Sequence, residues 1–304
     1  MDWIDKKIDA LARDRSHGAS QLASSAIKVL INVCKRSKEK DPSELASAVR
    51  QTALSLAKVR PSMAPIRNWS LVFSQRFHEK INDTTSFSEA QQQGILLGEE
   101  LLAQQQRFVE LQVKAAPAIL KNCKSLLTLS YSSTVESILR YGLPSSCRLV
   151  IAESRPLMEG RRLFKNLEHI FADLRMITDA QMGLAIPNTD LVLVGADTIL
   201  ADLAVVNKAG TYLSALVAHT HSRDFFVAAD TYKINAAVDS GNCMLEAKSG
   251  RELWPNHEKH CDNIYFDITP AKLISGFVTE EGILDVAGMK PQVQKWQELY
   301  QELA

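Results

Sequence analysis

Residues 190–196, Asp-Leu-Val-Leu-Val-Gly-Ala, decide the fold: four consecutive aliphatic residues end in glycine, with Asp197 immediately after. A run that is apolar on both faces belongs to a parallel strand with helices above and below it, whereas a solvent-facing strand would alternate. Similar runs recur on either side. SLLTLS (125–130), CRLVIAE (147–153) and DLRMIT (173–178) precede it, and DFFVAA (224–229) follows. Helical stretches at 133–141, 159–172 and 208–220, with a short one after 178, separate them. This alternation predicts an open, doubly wound α/β domain reaching about Ala287, closed by a final helix, PQVQKWQELYQEL (291–303).

Upstream of Cys123 the period is helical throughout. In 20–36, Leu22, Ala26, Ile27, Leu30 and Val33 form one stripe at 3.6-residue spacing. Asp41-Pro42-Ser43 begins a second helix, with proline in the first turn. A third runs from Ser86 to about Lys121, and Gly94 and Gly98 read as its one interruption. The expected organisation is a helical domain over 1–123 and an α/β domain over 124–304. No Gly/Ser/Pro linker divides them.

Composition sets limits on function. The chain has 304 residues, and 35 Lys+Arg balance 35 Asp+Glu to zero formal charge. Direct binding to nucleic acid, which needs a concentrated basic footprint, is not expected. No run of 18 apolar residues occurs, so no membrane span is expected, and the acid-containing start MDWIDKKIDALARDR is unlike a signal or transit peptide. The expected location is the cytoplasm. Five cysteines at irregular spacing make neither a disulfide framework nor a zinc pattern, and the pairs His219/His221 and His257/His260 lack completing ligands. No metal is expected.

In an open parallel sheet, ligands bind beyond the carboxyl ends of the strands. Three loops qualify: Ser130-Tyr131-Ser132-Ser133-Thr134; Glu153-Ser154-Arg155-Pro156 with Gly160-Arg161-Arg162; and Gly195-Ala196-Asp197 with Asn207-Lys208-Ala209-Gly210-Thr211. Hydroxyls and free N–H groups at a helix start suit an anion. Arg155 and Arg161 can grip phosphate oxygens through paired donors, and Lys208 can reach a phosphate laid on the helix start at Gly210. Asp197, directly after a buried strand, can serve as a general base or acid. Taken singly, Arg155-Pro156 reads as a turn with a solvated arginine, Asp197 as a cap and Asn207-Lys208 as an exposed helix start. Their convergence on one sheet edge favours a ligand. With no Gly-x-Gly-x-x-Gly and no Walker A sequence, that ligand is a small phosphorylated molecule, and no cofactor is implied.

At these residues the chain resembles the initiation factor 2B alpha/beta/delta family, which includes methylthioribose-1-phosphate isomerase and ribose-1,5-bisphosphate isomerase. The resemblance lies in Leu193-Val194-Gly195-Ala196-Asp197, Val206-Asn207-Lys208-Ala209-Gly210-Thr211-Tyr212 and Phe226-Val227-Ala228-Ala229. It extends to Glu153-Ser154-Arg155-Pro156 with Gly160-Arg161, Phe266-Asp267-Ile268-Thr269-Pro270 and Val278-Thr279-Glu280-Glu281-Gly282. In the helical part, His17-Gly18-Ala19-Ser20 is the best match. The resemblance implies an N-terminal helical domain and a C-terminal Rossmann-like doubly wound parallel sheet of the NagB/RpiA/CoA-transferase-like type. It also implies a homodimer or higher homo-oligomer, and a sugar-phosphate or nucleotide pocket between the domains.

In the isomerase branch a cysteine and an aspartate move the proton. The aspartate corresponds to Asp197, and the cysteine's place is taken by Ser130, in Thr128-Leu129-Ser130. A thiol can exchange a proton near neutrality, and a serine hydroxyl cannot without an activating base. The isomerases' phosphate-binding arginine is likewise replaced by His17, next to Gly18 and Ala19. The expectation is a regulatory binder of a phosphorylated sugar or nucleotide. Phosphate would sit on Arg155, Arg161, Lys208 and the Ser132–Thr134 helix start, and ribose on Asp197 and Asn207. The alternatives are an aldose–ketose isomerase working through Asp197 with Ser130 or water, and a structural subunit that acts only through contacts such as one with a translation GTPase.

Overall fold

The computed structural model describes residues 3–14, 17–82 and 85–303. The chain forms two compact units, Met1–Arg107 with Leu299–Ala304, and Phe108–Glu298. The division falls inside a long helix, ahead of the change in period near Cys123.

The helical unit contains α1 (Trp3–Arg13), α2 (Ala19–Arg36), α3 (Pro42–Leu56), α4 (Ala64–Lys80) and the first part of α5 (Phe87–Ala115). The stripe read in α2 is buried from Leu22 to Val33. Asp41 caps α3, its carboxylate accepting from the Ser43 N–H at 2.7 Å, and Pro42 occupies the first turn, where its missing N–H is no loss. Helix α4 left no amphipathic signature because it is buried on nearly every side: Asn68, Trp69, Ser70, Leu71, Val72 and Phe73 are all enclosed. Nor do Gly94 and Gly98 interrupt α5. A Cβ on Gly98 would lie 2.2 Å from Ile31 Cγ1, and one on Gly94 would lie 2.4 Å from Cys34 Sγ. The two glycines let α5 press against α2, so the expected break is a packing seam.

The second unit continues with the rest of α5, which ends just before Pro117, and a single turn, α6 (Pro117–Leu120). Then come β1 (Ser125–Leu129), α7 (Ser133–Gly142), β2 (Arg148–Ala152), α8 (Gly160–Leu167), β3 (Leu174–Ile177), α9 (Met182–Ala185) and β4 (Leu191–Gly195). Beyond these lie β5 (Thr198–Leu200), β6 (Val205–Lys208), α10 (Thr211–Thr220), β7 (Asp224–Ala228) and β8 (Ile234–Asn235). The last elements are β9 (Phe266–Thr269), β10 (Gly276–Thr279), β11 (Gly282–Leu284) and α11 (Val286–Leu303). Asp285 accepts from the Gly288 N–H at 2.7 Å and starts α11 earlier than the proline at 291 suggested.

A seven-stranded sheet runs in the order β11-β10-β7-β4-β1-β2-β3, parallel except for β11. One face buries Leu126, Ile151, Leu193 and Phe226 under Val135, Ile138 and Leu139 of α7 and Leu163 and Leu167 of α8. Each such side chain contributes roughly 1.5–3 kcal/mol on burial. From β1 the chain winds outward through β2 and β3, then returns to place β4 on β1's other side. The sheet order therefore reverses between β1 and β4, where a crevice opens beyond the strand ends.

A second sheet, β8-β5-β6-β9, was not expected from the sequence. Strands of two to four residues carry too few side chains to show a period, so 197–207 read as loop. Among the described residues, no helix is long and apolar enough to cross a membrane.

Candidate functional site

At the switch point the chain leaves β1 through Ser130, whose φ of 63° turns it sharply aside. Ser132 caps α7, its hydroxyl accepting from the Val135 N–H at 3.3 Å. The Ser133 and Thr134 N–H groups of the first turn meet no acceptor among the described residues, the usual state of a helix start that can take an anion. Across from this turn lies the end of β4. A Cβ on Gly195 would come within 2.9 Å of both Cβ and Oγ of Ser132, so only glycine lets the turn pass this close. Beside it, the Arg162 guanidinium stacks 3.9 Å above the Tyr131 ring.

Asp197 follows β4 and is half-buried. The peptide group joining it to Ala196 is gripped at both polar ends. Its N–H donates to the Val206 carbonyl at 2.9 Å, and its carbonyl accepts from Lys233 Nζ at 2.7 Å. Lys233 is itself only 3% exposed.

The loop after β2 is held from below by Asp179, whose two carboxylate oxygens accept from the Ser154 N–H at 2.8 Å and the Arg155 N–H at 2.7 Å. Ser154 is buried with φ of 63°. At Gly160 a Cβ would fall 2.1 Å from the Ala152 carbonyl oxygen, so glycine is what allows α8 to begin directly against the end of β2. Arg161 pairs with Glu153 at 2.9 Å. The exposed Arg155 side chain has no counter-ion among the described residues.

The third loop is the most enclosed. Lys208 is 4% exposed and pairs with Glu159 at 2.9 Å, tying the start of α10 to the loop after β2. The other oxygen of that carboxylate, Oε2, is buried with no hydrogen-bond partner. Asn207, also buried, donates its amide to Thr211 Oγ1 at 3.0 Å. The start of α10, at Gly210 with φ of 107°, is already occupied: Asp267 accepts from the Gly210 N–H at 2.7 Å and from the Tyr212 N–H at 3.1 Å. Burial pushes the Asp267 carboxyl up to about 6 against those hydrogen bonds.

Sequence reading passed over Asp230, Lys233 and Glu280. Glu280 accepts from the Thr231 N–H at 3.2 and 3.1 Å and from its hydroxyl at 2.5 Å. Burial, then the nearby Asp230 charge, pushes Glu280 up to about 7. Burial also raises Asp230, opposed by Lys233. The signal was available: Asp230 comes directly after the β7 run, as Asp197 and Ser130 come after theirs.

His17, Gly18 and Ala19 belong to the helical unit. The His17 N–H and Nδ1 lie 2.9 and 2.8 Å from the two carboxylate oxygens of Asp14, whose carbonyl accepts from Arg60 at 2.9 Å. Gly18 is the N-cap position of α2, and Ala19 is buried. The remaining candidates all lie in the α/β unit.

Comparison with known proteins gives a consistent picture. The model of the Initiation factor 2 subunit family matches residues 15–286. A translation initiation factor eIF-2B subunit 2-like protein of Pyrococcus horikoshii is 34% identical over 276 residues, 90% of this chain and 93% of its own. A ribose 1,5-bisphosphate isomerase of Methanocaldococcus jannaschii is 26% identical over 301 residues, 97% of this chain and 96% of its own. The crystal structure of the Pyrococcus horikoshii translation initiation factor eIF-2B superposes with a TM-score of 0.78 at 31% identity, covering 93% of this chain and 97% of that one.

Proposed function

The chain belongs to the Initiation factor 2 subunit family, and from that premise we propose that it binds a phosphorylated sugar or nucleotide at the carboxyl edge of its seven-stranded sheet, as a regulatory rather than a catalytic protein. In this reading the phosphate rests on the Ser133 and Thr134 N–H groups and on Arg155, and Asp197 accepts from a sugar hydroxyl. The family's homo-oligomeric assembly is part of the same proposal.

The observation that carries the regulatory role is Ser130. It directly follows β1, the neighbour in the sheet of β4, after which Asp197 comes, and it stands where the resemblance places the isomerases' cysteine. Its hydroxyl has no hydrogen-bonded base among the described residues, so it lacks the activation that proton transfer near neutrality requires. No cysteine lies in β1 or in the turn that follows it. Cys123 and Cys147 precede β1 and β2 at the opposite edge, Cys34 lies in α2, and Cys243 and Cys261 lie in the irregular segment between β8 and β9.

An isomerase reading has Asp197 in its favour, a half-buried carboxylate on a clamped peptide, and the two separate in one experiment. Thermal unfolding is followed with ribose 1,5-bisphosphate, methylthioribose 1-phosphate, AMP and GDP, and each stabilising ligand is then incubated and examined by NMR for a ketose. Ligand at 100 times its Kd stabilises the native state by about 2.7 kcal/mol. A shift without turnover is the expected result. Ketose formation that survives Ser130→Ala and dies in Asp197→Asn would make the protein an isomerase. No shift with any of the four, together with tight association to a translation GTPase, would leave a structural subunit.

A further inference from the structure

The binding role makes no use of the cysteines, and two of them adjoin at the amino end of the large sheet. The Arg148 N–H donates to the Lys124 carbonyl at 2.9 Å, which fixes the entrance of β2 beside that of β1. Cys123 and Cys147 are the residues just ahead of those two, and both belong to the apolar cluster that includes Leu120, Leu126, Leu143 and Leu149. Neighbouring parallel strands lie about 4.8 Å apart, inside the roughly 4.4–6.8 Å that a disulfide spans between Cα atoms. Both residues are free thiols. They are also unequal. The Cys147 S–H hydrogen-bonds to the Cys123 sulfur, which lowers the Cys123 thiol against the opposing effects of burial and of the Asp190 charge, and raises Cys147. Burial pushes Cys34, by contrast, up to about 12, the state of an inert buried thiol. Cys123 is the nearer of the pair to solvent, 9% exposed against 1% for Cys147, and lies between the exposed residues Asn122 and Lys124.

We infer that Cys123 and Cys147 form an oxidisable dithiol, a modification site that hydrogen peroxide converts to a disulfide tying β1 to β2. The Cys123 thiolate attacks one peroxide oxygen: the S–O bond forms, the O–O bond breaks, and the departing hydroxide takes up the proton that Cys123 released, giving water. The Cys147 sulfur, giving up its own proton, then displaces the second hydroxide from Cys123, so that the S–S bond forms as the S–O bond breaks and a second water results. The two sulfurs together lose two electrons, and one hydrogen peroxide is reduced to two waters. The bond closes the chain from 123 to 147, which holds β1, Ser130 and α7. A closed loop constrains the unfolded chain and so favours the native state. The site lies at the end of β1 remote from Ser130, and the inference stands apart from the binding role.

The reduced full-length protein is exposed to an excess of hydrogen peroxide under native conditions, its remaining thiols are alkylated, and it is digested with trypsin without reductant. The expected product joins peptides 122–124 and 141–148 through a disulfide. Recovery of both cysteines as alkylated thiols overturns the inference, as does a cross-link that forms only in urea, where the fold no longer holds the two together. The oxidised protein should melt roughly 5 °C above the reduced one, and reductant should reverse the gain. An unchanged melt would strike the tie between the strands from the inference. In Cys147→Ser, Cys123 should stop at the sulfenic acid, read by mass spectrometry as its dimedone adduct, whereas Cys123→Ser should leave Cys147 a thiol. Oxidation of Cys147 in that second variant would overturn the order of attack.

Discussion

The peptide group ahead of Asp197 is held at both of its polar ends. With the carbonyl of Ala196 held by Lys233 and the N–H of Asp197 held by Val206, the carboxylate leaves β4 on a fixed base. Lys233 also acts on Asp230, which in turn acts on Glu280, and the titration of that pair can be measured. Glu280 is raised to about 7, above the ordinary carboxylate value, so the folded state holds its proton more tightly than the unfolded chain does. Its contribution to stability is therefore complete below about pH 4.5 and is lost as pH rises through about 7, an effect on the order of 2 kcal/mol. Urea unfolding at pH 5 and pH 7.5 should show a decline in the native protein that is smaller in Glu280→Gln; equal declines would refute the assignment. Asp267 adds to the same trend and persists in the variant. At this scale the sequence pointed to polar residues that come after two of the long strands, Ser130 and Asp197, and passed over Asp230, which comes after a third. Glu159 and Asp267, the partners of Lys208 and Gly210, were not legible, because they come from the loop after β2 and from β9, 49 and 57 residues away in the chain. No local pattern reports such an approach.

Among the strands, four of those read from the sequence are covered on both faces. β1, β2, β4 and β7 each bury four or five successive residues, and that continuity is visible as an apolar run. α4 is enclosed too, but a helix with polar Asn68 and Ser70 inside shows no stripe. The seam along α5 gives a prediction whose sign separates two readings of its glycines. Were Gly98 only a weak point in a helix, alanine would stabilise by up to about 1 kcal/mol. Because the new methyl would strike Ile31, Gly98→Ala should instead destabilise by about 1–3 kcal/mol, read from the midpoint of denaturant unfolding. Gly160→Ala is the more severe case, since the obstacle is the Ala152 carbonyl rather than a side chain that can turn. It should displace the start of α8 and with it Glu159 and Arg161, so ligand-induced stabilisation should fall along with basal stability in the same thermal melt.

For the whole molecule, equal numbers of acidic and basic residues have a direct consequence in solution. With pI near 7.0 the chain carries least charge around neutrality. Solubility, measured by precipitation with polyethylene glycol across pH 6 to 9, should pass through a minimum near pH 7; a monotonic profile would show that charge does not govern it. The ends of the two sheets determine how copies can meet. The large sheet stops at β3, four residues long with a charged Arg175, and at β11, three residues long and running against the rest. The small sheet stops at the two-residue β8 and at the four-residue β9. Strands this brief and interrupted make poor templates for main-chain pairing with a neighbour. Self-association of this chain must then be built from side chains on helices and loops, which makes it a matter of surface chemistry that single substitutions can tune, and shields the chain from the runaway strand-on-strand growth that leads to fibres.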